Sequence, residues 1–319
     1  MTFRKYFLLA VVLLACDALA QPFPSRTVIM VVPFSPGTGI DILARTLGER
    51  FGARWGVPVV VENKPGASGN IGAEFAAHAP PDGHTLLMTA TSFATNVALA
   101  KRLPYDPQKS FAPVSLVATG TLALVAAPSS EARSLKEFIA LARAKPGALH
   151  YASPGNGTAQ HLAMELLKQA LSIDLVHVPY KASAGAITDV AAGHVEAMIT
   201  PLHTAAPLAK QNRLRMLAVL SSGRSAVFPA VPTLREEGFP NLEVEVWYAM
   251  LVPAGTPPQT VSRINAELNA VLAMPQVREA LGSQGLAPVG GPPQRLARLL
   301  ETELARWPQV VAAAGIRAD

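Results

Sequence analysis

Short apolar segments alternate with segments of helical periodicity along most of this chain, and this alternation is the strongest indication of its fold. Val28–Val32 is an apolar run of strand length, and Ile40–Phe51, beyond a loop containing Gly and Pro, repeats its apolar residues at helical spacing. The same succession continues from Val59–Val61 to Met216–Leu220. Strands that alternate with helices pair mostly in parallel and are covered on both faces. We therefore predict an α/β fold with mixed, mostly parallel sheets and a ligand site in the loops at the carboxyl ends of the strands.

Composition and charge exclude several classes of protein. A chain of 319 residues, 50% apolar and 15% charged, is neither disordered nor a coiled coil, and its length suits two domains. The single cysteine excludes a disulfide scaffold and a cysteine-based zinc site, and the seven histidines show no metal-ligand spacing. The net charge of +5 comes from scattered Lys and Arg, with only 6% aromatic residues, so we expect neither a metal nor a nucleic-acid partner.

The N-terminus predicts export. The positive pair Arg4-Lys5 precedes the apolar run Phe7–Ala15, which is too short to span a bilayer as a helix. Ala18-Leu19-Ala20 then supplies the small residues that a signal peptidase recognises, so residues 1–20 are predicted to be a signal peptide. The alternative is a lipoprotein acylated at Cys16, although the residues before that cysteine fit a lipoprotein box poorly.

The remainder of the chain predicts two lobes. Residues 110–130 are uncharged but interrupted by Pro and Gly, so we interpret them as two buried strands, Val114–Ala118 and Leu122–Ala127, and not as a membrane span. Helices follow the apolar strand Val244–Val252, which indicates that the tail returns to complete the first domain. We place lobe 1 at residues 21–120 plus 247–319 and lobe 2 at residues 121–246.

Three loops that follow predicted strands, at residues 33–41, 91–92 and 152–161, are rich in small and hydroxyl residues. The first superficially resembles a dinucleotide-binding fingerprint, but Ile42 stands where the third glycine belongs, and the chain has no Gly-Lys-Ser/Thr phosphate loop. Backbone N–H groups at helix N-termini and side-chain hydroxyls both donate to anions. Either these loops are plain turns, or they form a pocket that binds an anion through neutral donors; three of them together favour the pocket.

Catalytic motifs are missing. The chain has no Gly-x-Ser-x-Gly and no His-Glu-x-x-His, so we expect a protein that is not an enzyme. His161 lies about one turn into the helix that the third loop opens, and we interpret it first as a support of the helix and second as a ligand contact. Trp247 and Tyr248 either form the wall of a cleft or belong to the core.

Seven strings of sequence together resemble a known family. They are Val32–Arg45, Val60–Ala73, Pro81–Leu86, Leu103–Pro107, Tyr151–Thr158, Val176–Lys181 and Val252–Pro257. Each string is weak by itself, but the joint match is specific and covers nearly all of the chain beyond the leader. The chain is similar to the Bug-type extracytoplasmic solute receptors of tripartite tricarboxylate transporters.

This resemblance implies a two-lobed periplasmic binding protein of type II topology, whose lobes close on a small carboxylate-bearing solute. It implies no cofactor, and delivery of the solute to the membrane permease subunits of a tripartite tricarboxylate transporter; we expect a monomer. The ligand-binding residues that it implies in lobe 1 are Phe34, Ser35, Gly37, Thr38, Gly39, Asp41, Thr91 and Ser92. Those in lobe 2 are Ser153, Gly155, Asn156, Gly157 and Thr158, with Tyr180 and Lys181 nearby.

Two positions depart from the family pattern, and two other functions stay open. Thr38 stands where members commonly have glycine, and Thr200 where they often have an acid, so a ligand amine would lack its partner and we expect a solute other than an amino acid. A ligand-sensing receptor of a regulatory or signalling system shares this lobe topology. A small secreted hydrolase is the weaker alternative, since no motif supplies a nucleophile and its base.

Overall fold

The computed structural model describes residues 23–99, 102–240 and 242–313. The predicted signal peptide, residues 1–20, and the alternative acylation site Cys16 lie outside these residues. The strands are β1 (Val28–Val32), β2 (Val59–Asn63), β3 (Thr85–Ala90), β4 (Phe111–Ala126), β5 (His150–Ser153), β6 (Val176–Pro179), β7 (Ala197–Pro201), β8 (Arg215–Val219), β9 (Glu245–Pro253) and β10 (Leu286–Pro288). The α-helices are α1 (Gly39–Trp55), α2 (Asn70–Ala77), α3 (Ser92–Leu99), α4 (Leu135–Ala144), α5 (Ala159–Leu171), α6 (Ser183–Ala192), α7 (Leu202–Lys210), α8 (Pro258–Leu272), α9 (Pro275–Gly282) and α10 (Pro293–Ala313).

Two groups of parallel strands lie on either side of a central antiparallel pair. The strands hydrogen-bond in the order β2-β1-β3-β9-β4-β7-β5-β6, and β8 and β10 also pair with β4. β1 is parallel to β2 and β3, and β5 is parallel to β6 and β7. Every antiparallel pair of the described strands includes β4 or β9. The alternation of strands and helices predicted the two parallel groups, and β4 and β9 join them.

β4 is one strand of 16 residues where the sequence predicted two. Gly120, interpreted as a break, is paired on both sides, with Val246 of β9 and Leu286 of β10. A Cβ atom at Gly120 would lie 2.9 Å from the Leu286 side chain, so the missing side chain makes room for the neighbouring strand. The prediction of a break was therefore wrong, because this glycine permits close packing of strands and does not form a turn.

The two halves of β4 pair with different strands. Phe111 to Thr121 pairs with β9, whereas Leu122 to Ala126 pairs with β7 and β8. The core is continuous through this strand, since Leu122 and Leu124 belong to one buried cluster with Leu47 of α1 and Phe138 of α4. Each such buried side chain contributes about 1.5–3 kcal/mol relative to exposure.

The C-terminal helix α10 returns to the first group of strands, as the sequence predicted for the tail. Leu296 and Trp307 are buried in a cluster with Phe93 of α3 and Trp247 of β9. The indole N–H groups of Trp307 and Trp247 donate to the Glu303 carboxylate, at 2.8 and 3.3 Å, so this helix is held by polar as well as apolar contacts. Among the described residues no helix is both long and apolar enough to cross a membrane.

Candidate functional site

The loops that follow β1, β3, β5 and β7 meet around a cavity of about 60 Å³ between the two groups of strands. One water needs about 10–15 Å³ by this measure, so the cavity holds several water-sized groups. From the first group of elements it is lined by Phe34, Thr38, Gly39, Ile40, Ala90, Thr91, Ser92, Val246 and Tyr248. From the second group it is lined by Pro154, Thr158, Ala159, Gln160, Ser183, Pro201, His203 and Thr204.

The lining of this cavity is uncharged and combines apolar with polar side chains. Asp, Glu, Lys and Arg are absent from the described lining residues, which instead include six Ser and Thr residues, a glutamine, a histidine and a tyrosine. Four helices begin at the cavity, with Gly39, Ser92, Ala159 and Ser183 as the first residues of α1, α3, α5 and α6. The free N–H groups of a helix N-terminus attract negative charge, so the cavity offers an anion neutral donors from several directions.

A buried carboxylate holds the loop between β1 and α1. Asp41 accepts hydrogen bonds from the backbone N–H of Gly37 at 2.9 Å, from the Asn63 amide at 2.8 Å and from the Arg45 guanidinium at 3.0 Å. Burial by itself raises the pKa of Asp41, but these hydrogen bonds and the charge of Arg45 outweigh it and lower that pKa. The carboxylate is therefore ionised and fully engaged in shaping the loop, and it does not line the cavity.

The corresponding loop between β5 and α5 is held by hydroxyl and imidazole groups. The Thr158 hydroxyl donates to the Gly155 carbonyl at 2.9 Å and accepts from the backbone N–H of His161 at 3.4 Å, which caps α5. The ring of His161 accepts from the backbone N–H of Gly157 at 3.2 Å. His161 thus supports the loop, in agreement with the first interpretation of its place in the sequence.

Ser153 and His177 form a hydrogen bond that no sequence motif signals, with Oγ and Nε2 2.7 Å apart. The His177 ring packs nearly parallel to those of Tyr151 and His161, at centroid distances of 4.7 and 4.2 Å. A serine beside a histidine resembles a nucleophile and its base. However, Ser153 is fully buried and does not line the cavity, so the role of the pair is to hold the β5–α5 loop in place.

Contacts beside the cavity and at its wall hold the two groups of elements together. Thr95 of α3 donates its hydroxyl to the Gly157 carbonyl at 2.7 Å, and Ser68 donates to the Asn156 carbonyl at 2.9 Å. A third contact joins the hydroxyl of Tyr248 to Nε2 of His203, at 3.4 Å. The structure is thus a closed form, in which the β5–α5 loop packs against α3.

The predicted ligand-binding residues fall into three sets. Phe34, Thr38, Gly39, Thr91, Ser92 and Thr158 line the cavity. Ser35 and Lys181 line a smaller adjoining cavity of about 20 Å³, which Phe34, Thr38, Pro154 and Ser183 share. Gly37, Asp41, Ser153, Gly155, Asn156, Gly157 and Tyr180 line neither; Tyr180 donates to Asp189 instead, at 2.6 Å. A direct role in ligand binding stays a prediction for all of them.

The sequence analysis missed the contribution of the β7–α7 junction. Pro201, His203 and Thr204 line the cavity although no glycine-rich loop precedes α7. The signal available in the sequence was their position, directly after a buried strand and at the start of a helix. Tyr248, left between cleft and core, is both buried and part of the lining.

Comparison with known proteins identifies the family. Residues 43–316 match the family model TctC, described as the tripartite tricarboxylate transporter family receptor. A UPF0065 protein of a Pseudomonas species is 39% identical over 290 residues, which cover 91% of this chain and 86% of the relative. The protein BugT of Bordetella pertussis is 35% identical over 306 residues, which cover 95% of this chain and 94% of BugT.

Solved structures agree in fold. The periplasmic binding protein BugD superposes with a TM-score of 0.88 at 32% identity, covering 92% of this chain and 99% of BugD. Rpa4515 of R. palustris, solved with adipate, superposes with a TM-score of 0.90 at 35% identity, covering 92% of this chain and 99% of Rpa4515. MatC of Rhodopseudomonas palustris, solved with malate, superposes with a TM-score of 0.86 at 33% identity, covering 91% of this chain and 100% of MatC. The predicted two-lobed periplasmic-binding-protein fold is confirmed, and the chain belongs to the receptor family of the tripartite tricarboxylate transporters.

Proposed function

We propose that this protein captures a small carboxylate-bearing solute in the periplasm, between its two lobes, and delivers it to the permease subunits of a tripartite transporter. The observation that carries the proposal is the uncharged cavity between the lobes, surrounded by hydroxyl groups and helix N-termini. The adipate and malate of the two related structures are carboxylates of the size class that we propose.

Neutral donors suffice for binding of this kind. Each helix N-terminus contributes about 0.3–1 kcal/mol toward an anion. A hydrogen bond to a charged group adds about 1.5–3 kcal/mol. A few such contacts, less the cost of ordering the solute and the lobes, reach the roughly −8 kcal/mol of a micromolar complex.

The lobes in this proposal are residues 21–120 plus 247–319 and residues 121–246. Strand pairing supports these bounds, because Thr121 is the last residue of β4 to pair with β9, and Leu122 is the first to pair with β7. Pairing of β9 begins at Glu245, close to the second proposed crossing. The crossings are therefore extended segments at the centre of the sheet.

Export also belongs to the proposal. A periplasmic receptor needs a leader, and residues 1–20 have the charge, the apolar run and the small residues of one. Acylation at Cys16 is the alternative anchor. We propose a receptor without enzymatic activity, which the burial of Ser153, beside His177, supports.

Calorimetric titration of the mature chain with a panel of solutes tests the proposal. We expect malate, succinate, adipate or citrate to bind, and succinamide, which keeps the shape of succinate without its charges, to fail. A chelator should leave the affinity unchanged, because the described residues contain no cluster of metal-ligating side chains. Binding of succinamide as tight as that of succinate, or of no carboxylate in the panel, would contradict the proposal.

A further inference from the structure

One side chain of lobe 2 is inserted into lobe 1. His203 is the second residue of α7, and only 5% of it is exposed. Its imidazole packs edge-on against the ring of Tyr248, with 5.7 Å between the ring centroids, and lies beside Gly39 and Gly120. These three neighbours belong to β9, α1 and β4 and, in the division that we propose, to lobe 1. We call them the socket of His203.

The socket fits the ring by shape. A Cβ atom at Gly39 would lie 1.6 Å from Nε2 of His203, so the ring fills the space that a side chain at position 39 would need. At Gly120 a Cβ atom would lie 3.9 Å from Nδ1, which has no hydrogen-bond partner among the described residues. The contact between Nε2 and the Tyr248 hydroxyl is long for a hydrogen bond, at 3.4 Å. The ring is therefore seated by the room that the two glycines leave, and hydrogen bonding contributes little.

The backbone does not require a glycine at position 39. Gly39 is the first residue of α1 and does not have the positive φ that favours glycine, so alanine adopts its conformation without strain. What excludes a methyl group there is the His203 ring, which comes from the other lobe. The overlap therefore arises only when the lobes close, and the fit of the ring to this glycine is a property of the closed form.

The seated ring also forms an end wall of the cavity. His203 lines the cavity together with Gly39 and Tyr248, and β4, behind the ring, contributes none of the described lining residues. The cavity of about 60 Å³ has room for about four to six water-sized groups, and the adjoining cavity of about 20 Å³ for one or two more. A four-carbon dicarboxylate is close to this size, whereas adipate, longer by two methylene groups, exceeds it.

We propose that His203 is a specificity-determining residue that limits the length of the solute. Seated in its socket as the lobes close, the ring ends the cavity and selects a four-carbon dicarboxylate over a longer one. The inference rests on the proposed function and names its ligand class. Each methylene group that becomes buried is worth about fourfold in affinity, so a longer dicarboxylate would bind more tightly if the cavity had room for it. The ring takes that room, and the lobes cannot close fully on adipate.

Titration calorimetry of the mature chain with succinate and adipate tests this limit. We expect the parent to bind succinate more tightly than adipate. His203→Ala should change the ratio of the two affinities by about fifteenfold in favour of adipate, the value of two newly buried methylene groups. His203→Gln keeps the bulk of the side chain without the imidazole, and its ratio should stay near that of the parent.

The fit of the ring to Gly39 is tested by two compensating changes. Gly39→Ala places a methyl group where the seated ring lies, so the lobes cannot close, and we expect no measurable binding of succinate. When Gly39→Ala is combined with His203→Ala the space is free again, and binding of succinate should return. Small-angle X-ray scattering follows closure separately. Succinate should make the parent and the double variant more compact and leave Gly39→Ala unchanged.

Three results would overturn this inference and leave the proposed function standing. They are a parent that binds adipate as tightly as succinate, a His203→Ala variant with the parent's ratio of affinities, and a double variant that does not regain binding. The last would mean that a methyl group at position 39 obstructs the solute itself and not the ring. A chain that binds no carboxylate would overturn the proposed function as well.

Discussion

At the scale of single residues, Thr158 has three functions, and substitution by serine or alanine tests the part that its hydroxyl plays in them. It caps α5 through the N–H of His161, holds the loop through the carbonyl of Gly155, and lines the cavity. These contacts explain why a threonine in a glycine-rich loop, visible in the sequence as a candidate anion donor, is buried to 2% exposure.

We predict that Thr158→Ala weakens dicarboxylate binding by about 1–3 kcal/mol, because in the complex the hydroxyl turns away from the Gly155 carbonyl and donates its one hydrogen to the carboxylate. Loss of the cap should lower the free energy of unfolding by about 1 kcal/mol. Thr158→Ser, which keeps the hydroxyl, is the matched variant and should have nearly the dicarboxylate affinity and the free energy of unfolding of the parent. Titration calorimetry and chemical denaturation measure the two effects, and an alanine variant that binds as tightly as the serine variant would refute the role.

The sequence predicted the hydroxyl-rich loops but not which of their residues reach the cavity. Thr38 and Thr158 are each N-cap residues, and both line the cavity. Asn156 and Gly157, which belong to the same β5–α5 loop as Thr158, contact lobe 1 instead. Local patterns place a loop at the end of a strand, but the direction of each residue depends on the opposing lobe. His203 was missed for the same reason, since only the fold brings it to Gly39 and Tyr248.

At the scale of elements, the β5–α5 loop and α3 form the closure contact. Gly157 has a φ of +79°, and a Cβ atom there would lie 3.0 Å from the Leu99 side chain. A Gly157→Val variant would consequently suffer backbone strain and a clash with α3, and would not test approach of a solute to the backbone. A variant that tests this contact therefore keeps the glycine and changes its partner on α3, Thr95.

Thr95→Val supplies that test, because it removes one hydroxyl at nearly constant volume. The Gly157 carbonyl, which accepts from Thr95 at 2.7 Å, would lose a buried donor in the closed form. We predict a loss of about 1–3 kcal/mol in dicarboxylate affinity, since binding requires closure. Thr46→Val removes an exposed hydroxyl on α1 and should bind normally. Equal affinities for the two variants would show that this contact contributes nothing to closure.

The sequence predicted most elements and missed those that depend on distant partners. Short strands flanked by helices were clear because each carries its own periodicity. β10 has three residues and exists because it pairs with β4. β4 itself was divided at Gly120, whose role is visible only beside Leu286.

At the scale of the whole molecule, two lobes share one core. β4 contributes to both halves of the sheet, and the buried cluster that includes Leu122 and Leu124 extends from α1 to α4. Elements that share a core unfold together, because neither lobe keeps its buried surface when the other is lost. The two lobes can therefore open and close around a solute and still unfold as one cooperative unit.

We therefore predict a single calorimetric unfolding transition for the mature chain, and a shift of that whole transition when a solute binds. A dicarboxylate at about 100 times its dissociation constant should add about 2.7 kcal/mol to the free energy of unfolding, because it binds only the folded, closed form. Succinamide at the same concentration is the control and should shift nothing. Two transitions, of which the solute shifts only one, would mean that the lobes fold independently despite the strand they share.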